Sequence, residues 1–267
     1  MTSIADIAEV KAASTQTKEN APEREMPFLE HLEELRWRLI KALLGLVVAA
    51  AVCAVFVEFI VTEIVLRPAL GIENPMQLIN TIPYGQLVLY MEAILFSALI
   101  LGMPWILYQL WKFIEPGLFL KERKYISGIV GFTSLCFFLG VGFAYFILLP
   151  FMLQFFVGFG SPDVQNLIAI NEYVSFILTM ILVSGLLFEL PMVSYVLARF
   201  GILTPAFMRH YRRHAYVAIL VLSALITPTT DIFTMSVFSF PIVLLYEVSI
   251  GITAIAKRKR DESFELS

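Results

Sequence analysis

The chain has 267 residues and a formal net charge of −3, with 59% hydrophobic and only 15% charged residues. Its mean hydropathy is +0.81. Soluble domains are about half apolar and about a quarter charged, so the composition excludes an ordinary soluble domain and predicts a single membrane domain. Cys53 and Cys136 both lie in apolar runs, which favours small buried side chains over a disulfide or a metal site.

Residues 1–25 are polar and contain no apolar signal-peptide core, so we predict a disordered tail there. The next stretch, MPFLEHLEELRWRLIK at residues 26–41, has apolar residues at helical spacing and predicts an amphipathic helix before the first apolar run. Its acidic residues are Glu30, Glu33 and Glu34. Glu34 has two interpretations: a local pair with Arg38 at i+4, or a docking site for cationic side chains.

Six apolar segments follow, and each is a candidate membrane helix. They cover Leu39–Val57, Leu87–Leu110, Tyr125–Pro150, Tyr173–Ala198, Ala215–Ile226 and Ile232–Ala256. About 20 residues are needed to cross a hydrocarbon core of about 30 Å. The fifth segment has only 12 residues. We therefore expect it to stop short of one surface, or to form a re-entrant pair with the sixth. Residues 26–256 are the predicted six-helix, all-α membrane domain.

The basic residues predict the orientation of these segments. All but one of the 19 Lys and Arg residues lie in the N-terminal stretch, in the connections between segments two and three and between four and five, or at the C-terminus. Only Arg67 falls on the other side. We therefore expect both termini in the cytoplasm, with residues 257–267 as a second cytoplasmic tail.

The motifs of several chemistries are missing from the sequence. It has no phosphate-binding loop of the Walker type, and Gly140-Val141-Gly142 lacks a third glycine. The three histidines are not accompanied by a pair of cysteines at zinc-ligand spacing. We therefore predict a protein that is not an enzyme, has no cofactor or metal, and binds no nucleic acid.

Six motifs together resemble the twin-arginine translocase C subunit (TatC) family. In the family's order they are FLEHLEELRWRL, PWILYQLWKFIEPGLFLKERK, GFAYFILLPF, GLLFELP, LITPTTD and FPIVLLYEVSI. They cover nearly everything from Pro27 to Ala256. The resemblance implies a concave bowl of six helices whose last two are short. It also implies a receptor, in the cytoplasmic (inner) membrane, for proteins that are exported folded.

The resemblance also assigns roles to particular residues. The family's signal-binding glutamates match Glu34 and Glu122, and its loop aromatic matches Phe113; these would bind the paired arginines of a signal peptide. Without the family, Phe113 is as well explained as an interfacial anchor. The intramembrane Glu189, two residues before Pro191, matches a family position on the concave face. Its alternative is a protonated carboxyl group bonded to a neighbouring helix.

Three further residues are candidates on the outer side or in a structural role: Pro68, Asp231 and Glu247. Asp231 follows Thr227-Pro228 and is best explained as a cap of the last helix. The chain departs from the family's pattern at Glu92, Glu115 and the length of the segment from Thr227 to Asp231.

The family implies the single-span partners TatA and TatB and the proton-motive force as the energy source. Gly45, Ala49 and Cys53 form a small-residue stripe that fits either a partner helix or internal packing. One rival function is an ion-coupled small-solute transporter with Glu92, Glu189 and Glu247 as its relay. A second rival is a purely structural membrane scaffold.

Overall fold

A computed structural model of the chain describes residues 28–71, 77–115, 126–158, 167–227 and 232–265. The chain divides into two compact units, Met1–Ile40 and Lys41–Ser267. Within the first unit, the described residues are the beginning of a long helix. The second unit contains all the other elements.

The first helix, α1, runs Phe28–Val55. After a turn at Phe56 the chain continues as α2 (Val57–Phe59), a π-helical segment (Ile60–Val65) and α3 (Arg67–Leu70). Strand β1 is Gln77–Ile79, and α4 runs Gly85–Ile114. The third apolar segment consists of α5 (Ile126–Phe143), a second π-helical segment (Ala144–Leu148) and α6 (Leu149–Gly158).

Strand β2, Leu167–Ala169, leads directly into α7 (Ile170–Leu187) and then α8 (Leu190–Arg199). Gly201 has a φ of 76° and ends this run, because a glycine adopts the left-handed conformation without a Cβ penalty. Thr204 then caps α9 (Pro205–His210) by accepting a hydrogen bond from the backbone N–H of Phe207 at 3.2 Å. The last two helices are α10 (Arg212–Ile226) and α11 (Ile232–Glu265).

Five helical runs among the described residues are long and apolar enough to cross a membrane. They are His31–Val55, Gly85–Ile114, Gly128–Gly158, Ile170–Arg199 and Ile232–Arg258. The fifth predicted segment lies in α10, which has 15 residues and reaches only about 22 Å at 1.5 Å per residue. The almost entirely helical described residues agree with the predicted all-α class.

The prediction that the last two helices are both short is wrong for α11, which has 34 residues. Pro241 lies inside this helix without ending it. At the C-terminal end of α11, residues 257–265 continue the helix beyond the apolar segment. Lys, Arg and Glu in this stretch are good helix formers. The apolar pattern alone ends near Ala256 and could not predict that extension.

Two tyrosines and a two-stranded parallel ribbon connect the segments at the end of the domain that contains Arg67. β1 and β2 pair in register from Gln77 with Leu167 to Ile79 with Ala169. Tyr145 donates its hydroxyl to the carbonyl of Ile64 at 3.0 Å, and Tyr173 donates to that of Val65 at 3.1 Å. These hydroxyls bind backbone carbonyls at the end of the first π-helical segment, which a membrane cannot hydrate.

The small-residue stripe of α1 packs inside the second unit. The Trp105 indole on α4 donates to the carbonyl of Lys41 at 2.9 Å. A Cβ added at Gly45 would overlap the same indole ring, and one added at Gly102 would lie 3.6 Å from the Cβ of Ala49. Ala49 and Cys53 are both buried. These contacts support the internal-packing interpretation of the stripe.

Candidate functional site

The two carboxylate oxygens of Glu34 differ in their hydrogen bonding. Its Oε1 accepts hydrogen bonds from Arg38 Nη2 at 2.9 Å and Nε at 3.3 Å. Its Oε2 is buried and has no hydrogen-bond partner among the described residues. The pair lies one turn apart on α1, with the acid on the N-terminal side, which is the favourable orientation for such pairs. The predicted local pair is therefore present, but it uses only half of the carboxylate.

The neighbouring Glu33 has a different environment. It is exposed, whereas the side chain of Glu34 is 22% exposed. A buried acceptor without a partner is costly, at about 1–3 kcal/mol and more for a charged group. Binding of an incoming guanidinium donor would remove this cost. Glu34 is thus distinguished from Glu33 by burial and by an unused acceptor.

The second group of predicted site residues lies at the end of α4. Phe113 is half-buried in the last turn of this helix. Lys112 pairs with Glu115 across 3.0 Å, which is the local pairing considered for that acid. Glu122 lies outside the described residues. Because Glu34 belongs to the first unit and Phe113 to the second, the joint site of Glu34, Phe113 and Glu122 stays a prediction.

Glu189 lies at a break between two helices. Pro191 has no backbone N–H and its ring crowds the carbonyl four residues earlier, so α7 ends at Leu187 and α8 begins at Leu190. The backbone carbonyl of Glu189 accepts hydrogen bonds from Met192 and Val193 at 3.0 and 2.9 Å. Glu189 is 7% exposed, and its side-chain Oε1 has no hydrogen-bond partner among the described residues. The alternative of a carboxyl group bonded to a neighbouring helix therefore finds no support at this oxygen.

Comparison with known proteins identifies the family. The model of the family described as Sec-independent protein translocase protein (TatC) matches residues 30–241. This chain belongs to the TatC family. It is 35% identical to the TatC protein of Aquifex aeolicus, over 89% of this chain and 98% of that protein. It is 36% identical to the TatCy protein of Bacillus subtilis, over 90% and 93%.

The fold of this TatC chain also matches a solved structure. The crystal structure of the twin arginine translocase receptor TatC superimposes with a TM-score of 0.77 at 34% identity, covering 85% of this chain and 99% of that one. A second crystal structure of that receptor, in the detergent DDM, gives a TM-score of 0.76. The relatives are named as protein translocase components, and nothing in these comparisons supports the solute-transporter alternative.

Glu247 forms a polar cluster that the sequence did not predict. Its Oε2 accepts from Arg212 Nη2 at 2.5 Å, and its Oε1 accepts from the Tyr216 hydroxyl at 2.6 Å. Both partners lie in the first turns of α10. The side chain of Glu247 is 36% exposed and ion-paired. No local spacing indicates a partner 35 positions away.

The remaining candidates are Glu92, Pro68 and Asp231. Glu92, near the start of α4, has an Oε2 that is buried and lacks a hydrogen-bond partner among the described residues. Pro68 is half-buried near the start of α3. Asp231 lies outside the described residues; α11 begins at Ile232, directly after it, and its capping role stays a prediction. The described residues include no group of three or more His, Cys, Asp or Glu that could hold a metal ion.

Proposed function

We propose that this chain is the receptor and core subunit of a twin-arginine translocase. It binds the paired arginines of signal peptides on folded precursor proteins and, with single-span TatA and TatB partners, supports their export driven by the proton-motive force. It performs no chemistry of its own and needs no cofactor. The similarity to the twin arginine translocase receptor TatC supports this assignment.

The observation that carries the proposal is the hydrogen bonding of the Glu34 carboxylate. Arg38 holds one carboxylate oxygen through two donors, while the other oxygen is buried and unused. A guanidinium presents a rigid planar fork of N–H donors that matches a carboxylate. An arginine of the signal peptide would bind Oε2 directly. The side chain of Arg38 fixes the carboxylate in advance, which lowers the entropy lost on binding.

The second arginine requires a second acid, for which we propose Glu122. Phe113, half-buried at the end of α4, would stack on a guanidinium or pack against the apolar part of the signal. A lysine keeps the charge but loses the fork. The site should therefore distinguish an arginine pair from a lysine pair of equal charge.

The topology is part of the same proposal. We propose a multi-pass protein of the cytoplasmic (inner) membrane with six crossings and both termini in the cytoplasm, the fifth crossing being the 15-residue α10. The distribution of Lys and Arg supports it. Five helices of sufficient length support the membrane location. The concave arrangement of the six helices stays a prediction.

Site-specific photo-crosslinking of a twin-arginine signal peptide tests the role of Glu34. Glu34→Gln removes the charge and should weaken capture by roughly 10- to 100-fold, as expected for a charge-assisted hydrogen bond of about 1.5–3 kcal/mol. Glu33→Gln is the matched control, because it removes an equal charge from the exposed neighbouring position, and it should leave capture nearly unchanged. Glu122→Gln should behave like Glu34→Gln. Full capture by both Glu34→Gln and Glu122→Gln would refute the two-carboxylate site.

A further inference from the structure

We propose that the end of the membrane domain that carries the C-terminus binds one anionic phospholipid. Its acyl chain occupies an apolar cavity between α5, α8 and α11. Its phosphate lies against Arg199 and Arg258. This proposal does not rest on the proposed signal-peptide site.

The cavity has a volume of about 460 Å³, within the range of about 300–1,000 Å³ of pockets that hold small ligands. Its lining is almost wholly apolar and includes Ile129, Phe132, Pro191, Tyr195, Ile252 and Ile255. Gly128 also lines it, and a Cβ added there would meet nothing within 4 Å. The space is therefore open at Gly128.

The three helices place the cavity near one end of the membrane domain. Gly128 and Ile129 lie in the first turn of α5, whereas Tyr195 lies in the second half of α8, whose last residue is Arg199. On α11, Ile255 is followed by exposed basic residues at Lys257 and Arg258. The start of α5, the end of α8 and the basic residues of α11 therefore all place the cavity near the same end of the membrane domain.

Two arginines continue the faces that line the cavity. Arg199 follows Tyr195 by four residues, and Arg258 follows Ile255 by three, and residues at these spacings are neighbours on a helix surface. Along the axis the two offsets are about 6 and 4.5 Å. Positive charge therefore begins about one turn beyond the apolar lining.

This charge distribution favours an anionic phospholipid over the other occupants of a membrane cavity. A non-helical peptide segment would bring backbone N–H and C=O groups that the apolar lining cannot satisfy. A zwitterionic lipid would fill the cavity but gain less from two arginines. Both arginines have other interactions, but each guanidinium has five N–H donors. Basic pockets between membrane helices are known sites for anionic headgroups.

Native mass spectrometry of the detergent-purified full chain tests the proposal with phosphatidylglycerol and phosphatidylcholine of identical acyl chains. The wild type should retain phosphatidylglycerol preferentially. Arg258→Gln, at an exposed position, should lower phosphatidylglycerol retention about fivefold, the factor equivalent to about 1 kcal/mol per surface cation. Lys257→Gln is its control, because it removes an equal charge from the helix face opposite the cavity-lining Ile255, and it should lower retention less than twofold. Arg199→Gln should add a further loss.

The cavity is tested separately with Gly128→Leu, which fills the open space and should lower retention of both lipids. Gly131→Leu is its control, since a Cβ there also meets nothing within 4 Å and Gly131 does not line the cavity; it should leave retention unchanged. Thermal melts of each variant establish that it is folded. Equal retention of the two lipids by the wild type would overturn the headgroup assignment. Unchanged retention in a folded Gly128→Leu variant would overturn the cavity assignment.

Discussion

Ser184 donates its hydroxyl to the backbone carbonyl of Gly140 at 3.1 Å, where α7 and α5 make a close backbone contact. A Cβ added at Gly140 would lie 2.7 Å from the Ser184 carbonyl oxygen and 2.9 Å from Gly185 Cα. Both are backbone atoms, which cannot move aside as a flexible side chain would. Ser184 lies five residues before Glu189, so this contact positions the C-terminal end of α7, directly before the break that contains this acid.

Gly140→Ala should therefore destabilise the protein by about 1–3 kcal/mol, the usual cost of overpacking. Gly142→Ala is the matched control on the same helix, because a Cβ there meets nothing within 4 Å. It should be neutral or stabilising by up to about 1 kcal/mol through helix propensity. Thermal unfolding in detergent distinguishes the two variants. Equal stability of both would show that the helices do not meet this closely.

The contact between α1 and α4 gives a second matched pair. Gly45→Ala would push the Trp105 ring away and break its 2.9 Å hydrogen bond to the Lys41 carbonyl. We expect a loss of about 1–3 kcal/mol in the free energy of unfolding. Gly102→Ala, in the same interface, makes only ordinary van der Waals contact and should cost less than about 0.5 kcal/mol. A Gly45→Ala variant as stable as Gly102→Ala would contradict this packing.

The ion pair between Glu247 and Arg212 should hold α10 against α11. Glu247→Ala removes the acceptor of both Arg212 and Tyr216 and should cost about 1–2 kcal/mol, since the groups are partly exposed. Hydrogen exchange of the α10 amides should rise. The double variant Arg212→Glu with Glu247→Arg should restore part of the protection. Protection unchanged in Glu247→Ala would mean that the pair contributes nothing to this contact.

Glu189 should be required for transport but not for stability or signal binding. Its buried Oε1 lacks a hydrogen-bond partner among the described residues. Burying this oxygen therefore lowers the stability of the folded protein. Glu189→Ala should be at least as stable as the wild type and should capture the signal peptide normally, yet lose export in a reconstituted assay. Export at the wild-type rate would reduce Glu189 to a structural acid.

The sequence predicted the long apolar helices because their composition and length are sufficient on their own. It could not predict the ribbon of Gln77–Ile79 with Leu167–Ala169, since strands of three residues carry almost no periodicity. It identified Glu34 as a candidate, but not that only one of its oxygens is used. The bond from Arg212 to Glu247 was missed because partners 35 positions apart leave no local signal. The helical extension beyond Ala256 was missed because the apolar periodicity stops there, whereas the helix continues to Glu265.

The most direct test of the receptor proposal compares two signal peptides on the wild-type protein in membranes. One peptide carries the paired arginines and the other carries paired lysines at the same positions, and crosslinking yield is measured across a peptide concentration series. The bidentate geometry proposed for Glu34 and Glu122 predicts capture of the arginine peptide at least roughly tenfold more tightly, as expected for about 1.4 kcal/mol or more of lost hydrogen bonding. Equal capture of both peptides would contradict the proposed recognition of paired arginines.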